Sequence, residues 1–228
     1  MAMTRRSFLM VAGAAAGAGL VVPGELQATT GGLTAKQAAY FGPLIEDNGI
    51  QFRSTNFAKI NPKWRRQFVP YTSTEPQGTV VVDATNHFLY VIFENQTALR
   101  YGVGVGRDGF RWYGRARIDR KQLWPRWVPP PEMRERHPEL PEYVDGGGTN
   151  PLGPRDMYLF RNGKDLGYRM HGTTEPWSIG TNASSGCIRM FNEDAVDLYQ
   201  RCPVGTRVLV LKFLGSPVIN ESAEVDNQ

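Results

Sequence analysis

From His171 to Met190 the chain reads His-Gly-Thr-Thr-Glu-Pro-Trp-Ser-Ile-Gly-Thr-Asn-Ala-Ser-Ser-Gly-Cys-Ile-Arg-Met, which brings one imidazole and one thiol into a stretch of small and polar residues. A thiol becomes a nucleophile when a neighbour takes its proton, and imidazole exchanges protons near neutral pH. An imidazole close to the thiol would stabilise the thiolate. The tetrahedral species that follows needs backbone N–H groups aimed at its oxyanion, and a Gly before the Cys lets the chain turn to supply them. The pattern points to Cys187 as nucleophile and His171 as general base and acid. The N–H groups of Ser185, Gly186 and Cys187 are the candidate oxyanion hole, and the carbonyl of Gly172 is the candidate orienter of the imidazole. Arg189 offers a planar fork for a substrate carboxylate, or an ion pair that holds the turn. Ser184 is a further candidate for substrate contact.

The order of the two residues narrows the chemistry. Papain-like and NlpC/P60-like peptidases place the cysteine before the histidine, whereas here His171 precedes Cys187. A noncatalytic wall-binding module with a decayed site would lack one of the pair. A zinc site from His171, Cys187 and Cys202 has no common ligand spacing and no evident fourth ligand, so neither metal nor cofactor is expected. With only two cysteines, a structural disulfide would consume the candidate nucleophile; Cys187 is expected free and Cys202 a small buried residue. Gly104-Val105-Gly106-Arg107-Asp108-Gly109 matches G-x-G-x-x-G, but no helical pattern follows it, so it reads as a strand end and turn rather than a dinucleotide site.

The elements that must position these groups read as mainly β with minor α. Thr79–Asp83, Phe88–Phe93 and Ala98–Val105 are β-branched and aromatic runs, expected as three consecutive antiparallel strands. Asp156–Phe160 and Leu166–Met170 flank Asn162-Gly163, a strong hairpin turn, so His171 falls at a strand end. Asn192 is expected to cap a helix running through Tyr199, and Gly205–Leu211 to close the sheet. Residues 121–149 form a loop-rich insertion between prolines and glycines. Residues 29–77 read as an N-terminal extension packed on the main domain, with a short helix capped by Thr34 and a helical turn over 61–70. Lys63, Arg65 and Arg66 beside Trp64 read as a solvated basic face.

Residues 1–28 have the form of a twin-arginine export leader: Arg5-Arg6, a weakly apolar run rich in Ala and Gly, and Leu26-Gln27-Ala28 as a cleavage site. A retained anchor is the alternative, although the run is short for a span of ~20 apolar residues. Residues 214–228 read as a flexible tail. At 41% hydrophobic and 11% aromatic the chain can build one core or at most two. A formal charge of +4 is too small to point to nucleic acid.

His171-Gly172 followed by Ser184-Ser185-Gly186-Cys187-Ile188-Arg189 resembles the L,D-transpeptidases of the YkuD type, which carry H-G and then S-H-G-C with an apolar residue and Arg or Asn. The resemblance spans roughly Gly78 to Leu211 and includes the Asn150-Pro151-Leu152-Gly153 turn. It departs at Ser185, where many members have a second histidine, which leaves side-chain help to substrate positioning open there. The resemblance implies a β-sandwich with mixed sheets and one or two short helices over residues 78–213. It also implies a periplasmic enzyme acting on peptidoglycan tetrapeptide stems through a Cys187 thioester. The acceptor would be a second stem, a protein amine, a free D-amino acid or water, with no nucleic acid and no membrane partner beyond an uncleaved leader.

Overall fold

The computed structural model describes residues 32–107 and 112–213. The leader, the tail and the Asp108–Gly109 end of the glycine motif lie outside the described residues. In chain order the elements are α1 (Ala35–Ala38), β1 (Phe41–Asp47), β2 (Ile50–Thr55), β3 (Gln67–Pro70), β4 (Val80–Asp83), β5 (Phe88–Ile92), β6 (Thr97–Gly102) and β7 (Val105–Gly106). There follow β8 (Gly114–Leu123), α2 (Pro131–Arg136), β9 (Arg155–Arg161), β10 (Lys164–His171), β11 (Asn182–Ser184), β12 (Ile188–Arg189), α3 (Asn192–Arg201) and β13 (Arg207–Val210). The protein is mainly β with mixed sheets and, among the described residues, three short α-helices. None is long and apolar enough to cross a membrane.

A nine-stranded sheet carries the fold in the order β12-β10-β9-β8-β13-β4-β5-β6-β3. β4, β5 and β6 pair antiparallel, as their composition predicts, whereas β13 joins β4 in parallel and antiparallel to β8. The β9–β10 hairpin turns at Asn162 (φ 49°) and Gly163 (φ 73°), the left-handed pair that this dipeptide favours. Alternation then sorts the side chains by face. Met157, Leu159, Met170 and Ile188 are each 4% exposed or less and meet Ala195 and Leu198 of α3 in the main core, while Asp156, Tyr158, Arg169 and His171 point to the opposite face.

Residues 32–77 contribute a strand to the sheet. β3 adds to its edge by pairing with β6, so the segment expected as a helical turn is a single 3-10 turn at Pro62–Trp64 followed by a strand. β1 and β2 form an unexpected hairpin turning at Asn48 (φ 52°) and Gly49 (φ 79°). Asp47, at the end of β1, receives both Arg155 Nη1 and Nη2 at 2.7 Å and Trp124 Nε1 at 2.9 Å. The basic cluster is also more structural than solvated: Arg66 pairs with Asp197 at 2.8 Å, and Lys63 lies 4.1 Å over Trp64. Just past the insertion, Asn150 Nδ2 points its two N–H groups into a cluster of the Pro125, Val144 and Asp145 carbonyls, all within 3.0 Å, closing the loop on itself.

Candidate active site

The site lies at one edge of the large sheet, where β12 joins β10 in parallel and matches Met170 with Ile188 and His171 with Arg189. The amide of Met190 donates to the carbonyl of His171 at 2.8 Å. Gly104 and Arg189 exchange both backbone hydrogen bonds, and Val105–Gly106 form β7, so the start of the glycine motif is strand. A Cβ on Gly104 would sit 2.7 Å from the Ser178 carbonyl oxygen, so its glycine serves close backbone approach.

His171 is 4% exposed, and its Nδ1 lies 2.6 Å from the Gly172 carbonyl oxygen. A carbonyl only accepts, so the bond requires the proton on Nδ1 and leaves Nε2 as the basic nitrogen. Gly172 is held in turn, because Asn192 Oδ1 accepts the Thr173 N–H at 2.8 Å. This corrects the expected role of Asn192: Phe191 occupies the N-cap position of α3, and the Asn192 side chain braces the strand exit beside the histidine.

Cys187 is free and half-buried, following Gly186 in the left-handed region at φ 120°. Ser184, expected to touch substrate, is 3% exposed and spends its hydroxyl inside the turn, donating to the Cys187 carbonyl at 2.5 Å and accepting the Gly186 N–H at 3.1 Å. The Gly186 amide, expected among the oxyanion donors, thus has a partner within the turn. Arg189 takes the structural alternative, meeting Glu175 Oε2 with Nη1 at 2.5 Å.

The electrostatics of the two groups are dominated by burial. Burial pushes the Cys187 thiol up to about 11; the nearby Asp156 adds to this, and the Arg169 amide and the guanidiniums of Arg169 and Arg189 oppose it. Burial, with Arg189 and Arg169 adding to it, pulls His171 down to about 4 against the raising effect of the Gly172 carbonyl. Both shifts run toward the uncharged forms, thiol and imidazole. Asp156, absent from the sequence expectations, is 2% exposed and directly across the strand pair from His171. Among the described residues no group of three or more His, Cys, Asp or Glu is placed to hold a metal ion.

The L,D-transpeptidase catalytic domain (YkuD) family matches residues 77–210, and the chain belongs to this family. The probable L,D-transpeptidase ErfK/SrfK of Escherichia coli (strain K12) is 34% identical over 146 residues, covering 60% of this chain and 45% of that protein. YqjB of Bacillus subtilis (strain 168) is 33% identical over 162 residues, covering 70% and 84%. A solved Brucella melitensis protein, described as a probable carnitine operon oxidoreductase, is 48% identical with a TM-score of 0.45, covering 68% of this chain and 99% of that one. The chain spans about half the length of the Escherichia coli relatives it matches, 45% and 47%.

Proposed function

We propose that this protein is a cysteine-dependent L,D-transpeptidase of the periplasm, exported by the twin-arginine route and acting on peptidoglycan tetrapeptide stems. The observation that carries the reading is the pairing of His171, with Nδ1 on the Gly172 carbonyl, against the Cys187 turn on the adjoining strand. The Arg5-Arg6 leader pattern supports export.

In this mechanism Cys187 Sγ attacks the carbonyl between the L-centre of meso-diaminopimelate and the terminal D-alanine. Because the resting thiol is protonated, its proton passes to His171 Nε2 as the S–C bond forms, a general-base step. The amides of Ser185 and Cys187 hold the oxyanion. The C–N bond then breaks, D-alanine leaves with the proton returned by His171, and a thioester remains on Cys187. A side-chain amine of a second stem, giving up its proton to His171, attacks the thioester and releases the thiol, forming a 3→3 crosslink. Arg189, paired with Glu175 in the free protein, would exchange that partner for a substrate carboxylate.

Incubation with a disaccharide-tetrapeptide followed by mass analysis tests the reading. A crosslinked dimer supports it, a tripeptide reassigns the acceptor to water, an exchanged stem reassigns it to a free D-amino acid, and no turnover overturns it in favour of a binding module. Cys187→Ala should abolish the covalent adduct with a carbapenem while the protein stays folded; an adduct on the variant would place the nucleophile elsewhere.

A further inference from the structure

We propose that Asp156 is a positioning residue of this site, whose buried carboxyl sets the proton balance of the Cys187–His171 pair from the neighbouring strand; the proposal rests on those two residues being nucleophile and base. The register places Gln122 of β8, Asp156 of β9, His171 of β10 and Arg189 of β12 in one row across four adjacent strands. The next row holds Arg120, Tyr158 and Arg169, and Cys187, two residues before Arg189, feels the charges of Asp156, Arg169 and Arg189.

These are the titratable and charged groups facing Asp156, and none of the cations is dedicated to it. Arg169 is held by both carboxylate oxygens of Asp165 at 2.7 and 2.9 Å, Arg189 is paired with Glu175, and Arg120 lies 3.9 Å over the Tyr158 ring. Asp156 Oδ1 is buried without a hydrogen-bond partner. A buried carboxyl left short of partners is costly to a fold, and such groups concentrate where their charge has a use.

An ionised Asp156 opposes the thiolate, so it holds Cys187 as the neutral thiol until the base takes its proton. Burial also raises its own pKa to about 6, with Arg169, the Tyr158 hydroxyl, Arg120 and the Met157 amide opposing, which brings the charge on and off within the working range of pH. Cys187 stands two strand spacings from Asp156, ~10 Å. At an effective dielectric constant of ~20, a charge at that distance shifts a titration by about one pH unit, a tenfold change in thiolate fraction.

The test is alkylation of Cys187 by iodoacetamide across pH 5 to 9, with circular dichroism to confirm folding. Asp156→Asn should raise the rate about tenfold at pH 8, and Asp156→Glu should restore wild-type behaviour. Equal rates in wild type and a folded Asp156→Asn overturn the proposal. The unsubstituted protein gives a second reading: the logarithm of its rate should rise with unit slope above pH 7 and flatten between about pH 5 and 7 as Asp156 ionises, and an unbroken straight line overturns the proposal. Alkylation needs no turnover, so either failure leaves the transpeptidase reading to stand or fall on its own assay.

Discussion

Removing the Asp47 carboxylate should destabilise the protein far more than removing a carboxylate from a surface pair. The Arg155 side chain is 4% exposed and Asp47 18%, and Asp47 accepts four donors: Arg155 Nη1 and Nη2, Trp124 Nε1, and Asn48 Nδ2 at 3.1 Å. Asp47→Ala leaves a guanidinium buried without its counter-charge, a loss of 3–5 kcal/mol for a fully buried pair. The residual exposure of Asp47 moves the expectation to the lower end, about 3 kcal/mol. For a chain of this size that is roughly 6–12 °C in Tm, read by scanning calorimetry. Asp145→Ala is the control, because Arg126 and Asp145 are 56% and 68% exposed and such pairs contribute less than about 1 kcal/mol. The Arg155 contact also holds the Asp47 pKa below its ordinary 3.8. The stabilisation is therefore complete above that value and is lost as pH falls through the depressed one, and Asp47→Ala should lose this acid sensitivity. Equal melting temperatures for the two variants would refute the reasoning.

Two further outcomes concern the site. With its thiol raised to about 11, Cys187 should react with iodoacetamide about tenfold faster for each pH unit above 7, approaching a plateau only near pH 11; a rate already flat at neutral pH would reveal a preformed thiolate, and Cys202, 1% exposed, should not compete. Gly172→Ala should slow carbapenem acylation about 100-fold in a folded protein, because the new Cβ would overlap Asn192 Oδ1 and lie 2.9 Å from Pro154 Cδ, displacing the carbonyl that orients His171. Unchanged stopped-flow acylation would show that the imidazole does not depend on that carbonyl.

Local chemistry explains what was legible in the sequence. The β4–β5–β6 run and the Asn162-Gly163 hairpin are written in side-chain type and turn residues a few positions apart, and the His171 and Cys187 neighbourhoods were visible as a pattern. The Asn48-Gly49 turn carried the same signal, but polar and proline residues in β1 masked its strands. β3 is four residues long with a single half-buried position, so only its pairing with β6 defines it. Asp156 was hidden for another reason: next to Met157 and Leu159 it looks like the polar side of an ordinary strand, and its meaning comes from register with His171. The link from Asp47 to Arg155 joins residues 108 positions apart and leaves no local trace. Ser184 and Arg189 were noticed by type, but a hydroxyl or guanidinium does not announce whether it will serve the substrate or its own turn.

β12 has only two residues, and its rungs run to the strand that carries the base: Met190 donates to the carbonyl of His171 itself, and Arg189 is clasped on its other side by Gly104. A strand this short has little cooperative pairing of its own, whereas β10 spans eight residues and is paired to β9 on its other side, so this edge opens first at the Cys187 turn. A transient opening there would free the thiol from the sheet while the imidazole stays on a strand that is still paired, so exposure of Cys187 to reagents can rise without the fold letting go of His171.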